Sequence, residues 1–341
     1  MAFQGIKWHR KESEQYICAM ILSVFLLLLG FAILVKGADW LVKGASSAAK
    51  RKGISNLAIG LTVVAFGTSM PELTVSLLAA LDGKNDASFG NVIGSNNFNL
   101  LFILGVAGLI FPLAVHRNTV NKEIPISLGA AFLLWLVVND SWHGLGEPGI
   151  NILSRLDAGI LLLFFAGFLY YVYLSMKQTT GKNAEEGYKE FPMSMSIIMI
   201  FLGLAALIGG GKLVVDHAVL IAQHYGWSEK LIGLTILAIG TSLPELATSA
   251  VAAYHKHDDI AIGNVVGSNI FNLLFILGIT GLVRPIPYNT DLNRDIYVLI
   301  FSTIALVIFL FILPVHKLDR WKSFLMLVAY IFYTIYLVRL G

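Results

Sequence analysis

Cysteine is nearly missing from the 341 residues: Cys18 stands alone, so the chain can close no disulfide within itself. Charge is scarce too. Asp, Glu, Lys and Arg make up 13% of the chain, against about 25% in an ordinary globular domain. The net charge of +3 is too small to argue for a nucleic-acid partner. The apolar run after the charged start is too long for a cleavable signal peptide and lacks a small-residue cleavage site.

Apolar residues make up 57% of the chain, and the mean hydropathy is +0.76. A window of about 20 residues finds ten apolar segments, near 17–42, 54–81, 87–114, 124–138, 155–176, 193–222, 228–253, 260–283, 296–315 and 321–340. Such runs predict an integral membrane protein with the lipid bilayer as its surroundings. The spans must be helices, because lipid offers the backbone no hydrogen-bond partner. Residues 1–16 read as a short polar surface tail, and 177–192 as a linker too short for a regulatory domain. Segments four and five read as plain apolar scaffold.

One stretch occurs twice. GLTVVAFGTSMPELTVS and GNVIGSNNFNLLFILG in 60–113 return as GLTILAIGTSLPELATS and GNVVGSNIFNLLFILG in 233–286, displaced by 173 residues without insertion. Of 54 aligned positions, 31 are identical. Five segments separate each residue from its counterpart, and five is odd, so the second copy crosses the membrane the other way. The expected fold is therefore all-α, with ten transmembrane helices in two inverted five-helix repeats. The halves are 1–176 and 193–341. A small excess of Lys and Arg in alternate loops puts both termini on the non-cytoplasmic side.

Each copy carries a carboxylate in an apolar run, Glu72 and Glu245. A buried carboxylate without a cation or proton is costly. Pro71 cannot bond the carbonyl of Gly67, so helix 2 should break around Thr68 and Ser69, and helix 7 likewise around Thr241 and Ser242. Thr68, Ser69 and Ser76 can share the helix face of Glu72. Asn91, Ser95 and Asn99 fall at i, i+4 and i+8, as do Asn264, Ser268 and Asn272. These polar groups could instead be helix-packing glue, the asparagines 91, 96, 264 and 269 above all. All the candidate ligands are oxygens, which suits a hard cation such as Ca²⁺ or Na⁺.

Other charges read as structural. Lys36, Asp39 and Lys43 form a local cluster at a helix end, and at the 173-residue displacement Asp39 answers to Lys212 and Lys43 to Asp216. His255, His257, Asp258 and Asp259 have the composition of a metal site but read as a solvated loop.

GTS-x-PE with GNV-x-GSN-xx-N, twice and inverted, resembles the signature of the sodium/calcium exchanger family in its prokaryotic form, without a regulatory domain. The resemblance implies antiport of Na⁺ against Ca²⁺ by alternating access, in the plasma (inner) membrane of a prokaryote. It implies a Ca²⁺ site of Glu72, Glu245, Thr68 and Thr241. It places Na⁺ on Ser69, Ser242, Ser95, Ser268 and the carbonyls of Ala65 and Ala238. Central amide positions fall on Asn99 and Asn272. The potassium-dependent branch has Asp at the place of Asn272, so the amide implies no need for K⁺. No cofactor is implied; the ions are substrates. Two other readings are open. Ca²⁺/H⁺ exchange could use the two carboxylates, although proton-coupled relatives resemble GNA-x-E where this chain has Ser95 and Ser268. An intramembrane hydrolase could use Glu72 and Glu245 as an acid and base, but such a pair needs unlike surroundings, and theirs are nearly identical. The chain therefore reads as a transporter and not as an enzyme.

Overall fold

The computed structural model describes residues 2–139, 151–178, 191–226 and 238–340; side chains are described from residue 20, except those of 177, 178, 238 and 340. The reading of residues 177–192 as a linker falls largely outside them, as does the start of the seventh apolar segment. Helix α1 (Ala2–Lys52) runs 51 residues unbroken, so the polar start is helical rather than a tail. It ends at Gly53 in the left-handed region (φ +65°), and its counterpart in the second half, Gly226, does the same (φ +76°). Glycine reaches this conformation without strain.

The second span is assembled from pieces: α2 (Asn56–Ile59), a π-helical turn (Gly60–Val64), α3 (Ala65–Thr68) and α4 (Met70–Leu81). The axis bends by 45° where α3 meets α4. Ser69, with φ −84° and ψ 6°, is the break, and Pro71 stands in the first turn beyond it. The second copy repeats this: α10 (Ala238–Gly240) and α11 (Leu243–Tyr254) flank Ser242 at φ −90° and ψ 7°. The missing proline N–H sets the break in both.

The third span is α5 (Asn85–Asn97), a π-helical turn (Phe98–Ile103) and α6 (Leu104–Ile110). Its counterpart is α12 (Asp258–Ile270), a π-helical turn (Phe271–Ile276) and α13 (Leu277–Val283). The remaining helices are α7 (Ile124–Val138), α8 (Arg155–Gln178), α9 (Met193–His224), α14 (Asn293–Phe311) and α15 (Arg320–Leu340). Among the described residues, eight helices are long and apolar enough to cross a membrane, and the bent pair makes nine.

Burial sorts the spans. The most apolar window of 258–283 is 94% buried and that of 85–110 is 72% buried, against 22% for 155–176 and 17% for 20–52. The two Gly-Asn-Val spans are thus the centre of the protein, and the helices around them present apolar side chains outward, as lipid-facing helices do.

The halves interlock. Strand β1 (Leu113–Ala114) pairs antiparallel with β4 (Lys317–Leu318), and β2 (Ile152–Leu153) with β3 (Ile286–Pro287), each pair joining one half to the other. Helices α1 and α9 lie against each other at glycines. A Cβ on Gly37 would stand 2.9 Å from Gly203 O, and one on Gly210 would stand 2.9 Å from Gly30 O. Close backbone approach of this kind is how small residues pack membrane helices.

One buried contact corrects the reading of segments four and five as plain scaffold. The π-helical turn Thr119–Glu123 starts the fourth span earlier than expected and carries Glu123 inside, 3% exposed, where Tyr171 of α8 donates to Oε1. Between α14 and α15, Tyr333 donates to Asp295 Oδ1 at 2.6 Å, and Asn97 Nδ2 donates to the Tyr333 hydroxyl at 3.2 Å.

Candidate functional site

The two breaks meet at the middle of the protein, and their side chains cross. Ser69 Oγ donates to Glu245 Oε1 at 3.0 Å, and Ser242 Oγ lies 2.9 Å from Glu72 Oε1. Ser69, three residues before Glu72, thus turns its hydroxyl to the carboxylate of the other copy. Ser95 Oγ also reaches Glu72 Oε1, at 3.3 Å, and stands 2.9 Å from Ser242 Oγ. Glu72, Glu245, Thr68, Ser242, Ser268, Asn99 and Asn272 are fully buried, and Ser69 and Ser95 nearly so.

The asparagines act as struts. Asn91 Nδ2 donates to the Glu72 carbonyl at 3.2 Å and to Ser76 Oγ at 2.9 Å. Asn264 makes the same two bonds to Glu245 O and Ser249 Oγ, at 3.3 and 2.9 Å. The free ends of both amides cross over: Thr68 Oγ1 donates to Asn264 Oδ1 at 3.1 Å, and Thr241 Oγ1 to Asn91 Oδ1 at 3.2 Å. Asn96 and Asn269 exchange reciprocal bonds, each Nδ2 donating to the other's carbonyl at 3.4 Å. Packing thus accounts for these four amides. The carbonyl of Ala65 accepts Ser69 N at 3.0 Å and lies 3.3 Å from Thr68 Oγ1, so it serves the helix at the break. Ala238 opens α10, but its side chain lies outside the described ones.

Asn99 and Asn272 are turned with their amide nitrogens engaged: Asn99 Nδ2 donates to Asn269 Oδ1 at 3.1 Å, and Asn272 Nδ2 to Asn96 Oδ1 at 3.0 Å and Ser95 Oγ at 3.2 Å. This leaves Asn99 Oδ1 and Asn272 Oδ1 buried without a donor, and Glu72 Oε2 and Glu245 Oε2 are in the same position. Buried acceptors normally find a donor, and leaving one bare costs about 1–3 kcal/mol, more when it is charged. Four bare oxygens, two of them carboxylate, form a set that a hard cation would satisfy. Ser69 lines a narrow crevice together with Phe66, Met70, Leu73, Phe271, Phe275 and Ile276.

The loop after α11 is not simply solvated. His255 Nε2 lies 2.9 Å from Asp39 Oδ1 on α1, His116 Nε2 lies 3.3 Å from Asp259 Oδ1, and Asp258 Oδ2 accepts Ala114 N at 2.8 Å. His257 is 5% exposed. Among the described residues, no group of three or more His, Cys, Asp or Glu side chains is placed to hold a metal.

Comparison with known proteins gives one consistent answer. The family model described as sodium/calcium exchanger protein matches residues 22–174 and 195–339. The chain is 37% identical over 275 residues to the inner membrane protein YrbG of Escherichia coli, covering 78% of this chain and 81% of that one. It is 30% identical over 346 residues to the sodium/calcium exchanger MaX1 of Methanosarcina acetivorans, covering 93% and 98%. Its fold is similar to a structure of the sodium-calcium exchanger NCX_Mj at a TM-score of 0.78 and 33% identity, covering 93% of this chain and 99% of that chain.

Proposed function

The chain belongs to the sodium/calcium exchanger family, and on that premise we propose that it exchanges Na⁺ for Ca²⁺ across a membrane by alternating access. The four bare buried oxygens of Glu72, Glu245, Asn99 and Asn272 carry this reading. Ca²⁺ takes oxygen ligands and needs charged ones to offset its hydration. Glu72 and Glu245 supply that charge, with Thr68 and Thr241 at its side. Ser69, Ser242, Ser95, Ser268 and the carbonyls of Ala65 and Ala238 offer neutral oxygens for Na⁺. K⁺ has no carboxylate of its own here, because position 272 is an amide.

The architecture that goes with this function is ten helices in two inverted halves, 1–176 and 193–341, joined by 177–192. The mirrored breaks at Ser69 and Ser242 and the mirrored π-helical turns support it. The membrane would be the plasma (inner) membrane of a prokaryote, with both termini outside the cytoplasm.

The test is ⁴⁵Ca²⁺ uptake into proteoliposomes under an imposed Na⁺ gradient or an imposed pH gradient. Uptake driven by Na⁺ alone supports the reading. Uptake driven only by the pH gradient overturns it in favour of Ca²⁺/H⁺ exchange.

A further inference from the structure

The cluster around Asp39 has a mirror image that the structure leaves apart. Asp39 Oδ1 lies 2.9 Å from His255 Nε2 and 2.8 Å from Lys43 Nζ, and Asp39 Oδ2 lies 3.5 Å from Lys36 Nζ. His255 caps α11 just beyond its last turn. The pair therefore ties α1 of the first half to the end of the broken span of the second.

Displaced by the repeat of 173 residues, Asp39 corresponds to Lys212 and His255 corresponds to Asp82. Asp39 is exchanged for a lysine, and the imidazole that meets its carboxylate is exchanged for a carboxylate, so each pair sets one acid against one nitrogen. Asp82 caps α4 as His255 caps α11. Lys212 sits on α9 as Asp39 sits on α1. Yet Asp82 is 63% exposed, and among the described residues its one ion pair is with the exposed Lys84, at 3.7 Å. Among the described residues, Lys212 is exposed and makes no ion pair. Packing shows the same difference: α1 lies along α11, while α9 makes no comparable contact with α4.

We propose that Asp39–His255 and Lys212–Asp82 are two alternating latches, one at each face, of which the structure holds the first closed and the second open. The proposal rests on the alternating-access reading above. In an inverted repeat, the opposite-facing state arises when each half takes up the arrangement of the other. That exchange brings Lys212 to Asp82 as it parts Asp39 from His255. These residues stay remote from the transported ions and act by setting which face is shut. A contact near the protein surface is weak, which suits one that must break in every cycle.

The test uses a Cys18→Ser background with Asp39→Cys/His255→Cys or Asp82→Cys/Lys212→Cys, and a short thiol-specific cross-linker on the full-length protein in proteoliposomes. Both pairs should cross-link, each favoured under a different one of Na⁺-loaded, Ca²⁺-loaded and ion-free conditions. Either cross-link should stop Ca²⁺ flux, and its reduction should restore it. Failure of the 82/212 pair to link under every condition, in protein that carries flux, overturns the proposal. So does formation of both links in one molecule when the four substitutions are combined. Charge exchange gives a second measurement free of cysteine. Asp82→Lys and Lys212→Asp should each slow flux, and the double variant should recover most of it; no recovery overturns the latch. Absence of Na⁺-driven flux in the Cys18→Ser parent would instead count against the exchanger reading, and ion-dependent cross-linking would still decide the latch.

Discussion

The hydroxyl of Ser69 belongs to one half and bonds the carboxylate of Glu245 in the other, at 3.0 Å. Ser242 returns the contact to Glu72 at 2.9 Å. Each glutamate is therefore oriented by the opposite repeat. In a double-mutant cycle, Ser69→Ala should couple to Glu245→Asp and not to Glu72→Asp. Hydrogen bonds to charged groups are worth about 1.5–3 kcal/mol, so the coupling should appear as roughly a 10- to 100-fold non-additivity in apparent Ca²⁺ affinity. Equal coupling to both glutamates would contradict the crossing.

The carboxylates are the only formal negative charges in this cluster of buried oxygens. Glu72→Gln and Glu245→Gln should each abolish Ca²⁺ flux while the protein elutes as a folded species in detergent. Isotope flux near the wild-type rate in either variant would remove that glutamate from the transport site.

Position 272 should govern response to K⁺. One Ca²⁺ balances two carboxylates, and a further cation would leave a net buried charge, which is unfavourable even at an effective dielectric near 20. Na⁺-driven Ca²⁺ flux in the wild type should persist when K⁺ is replaced by choline on both sides. Asn272→Asp should change that ion dependence. Collapse of wild-type flux without K⁺ would refute the charge balance.

Acid should weaken the loop after α11 through His257. Burial, and then the neighbouring His255, push this imidazole down to about 4, with Asp259 pulling the other way. Its folded value lies below its unfolded one, near 6.5, so the unfolded chain takes up the proton first. Stability is intact above about 6.5 and declines as pH falls towards about 4. Thermal unfolding between pH 7 and 5 should show a steeper fall in wild type than in His257→Gln.

The glycine contact between α1 and α9 should tolerate no methyl group. A Cβ on Gly37 meets Ala206 Cβ at 2.8 Å and the backbone of Gly203 and Leu207 at 2.9 Å, with no flexible side chain to yield. Gly37→Ala should cost about 1–3 kcal/mol, the usual range for overpacking. Gly209→Ala, with nothing within 4 Å of the added carbon, should leave the melting temperature in detergent unchanged or raised.

Much of this was legible in the chain. Proline two residues beyond Ser69 and Ser242 announced both breaks, because a missing N–H acts locally. The repeat marked Glu72, Glu245, Asn99 and Asn272. The crossing of Ser69 to Glu245 was not legible, because it depends on how two inverted copies are docked and not on spacing within either. Glu123 and Asp295 escaped notice because each sits just before an apolar run, at 124 and 296. Only the preceding turns, Thr119–Glu123 and Thr290–Leu292, draw them into the bundle. The loop of His255 looked solvated because its partner, Asp39, is 216 positions away.

Asn96 and Asn269 are the same residue of the two copies, and each gives the other the bond that it receives, at 3.4 Å both ways. They mark an axis of twofold pseudosymmetry between the two copies. A shorter chain holding one copy could make that contact only with a second molecule of itself. Its glutamate would also lack the nearer hydroxyl, which for Glu72 is that of Ser242 at 2.9 Å, until that partner arrived. Fusion of two such units would free them to diverge, and the sign exchange at Asp39 and Lys212 is a difference that no pair of identical chains could carry.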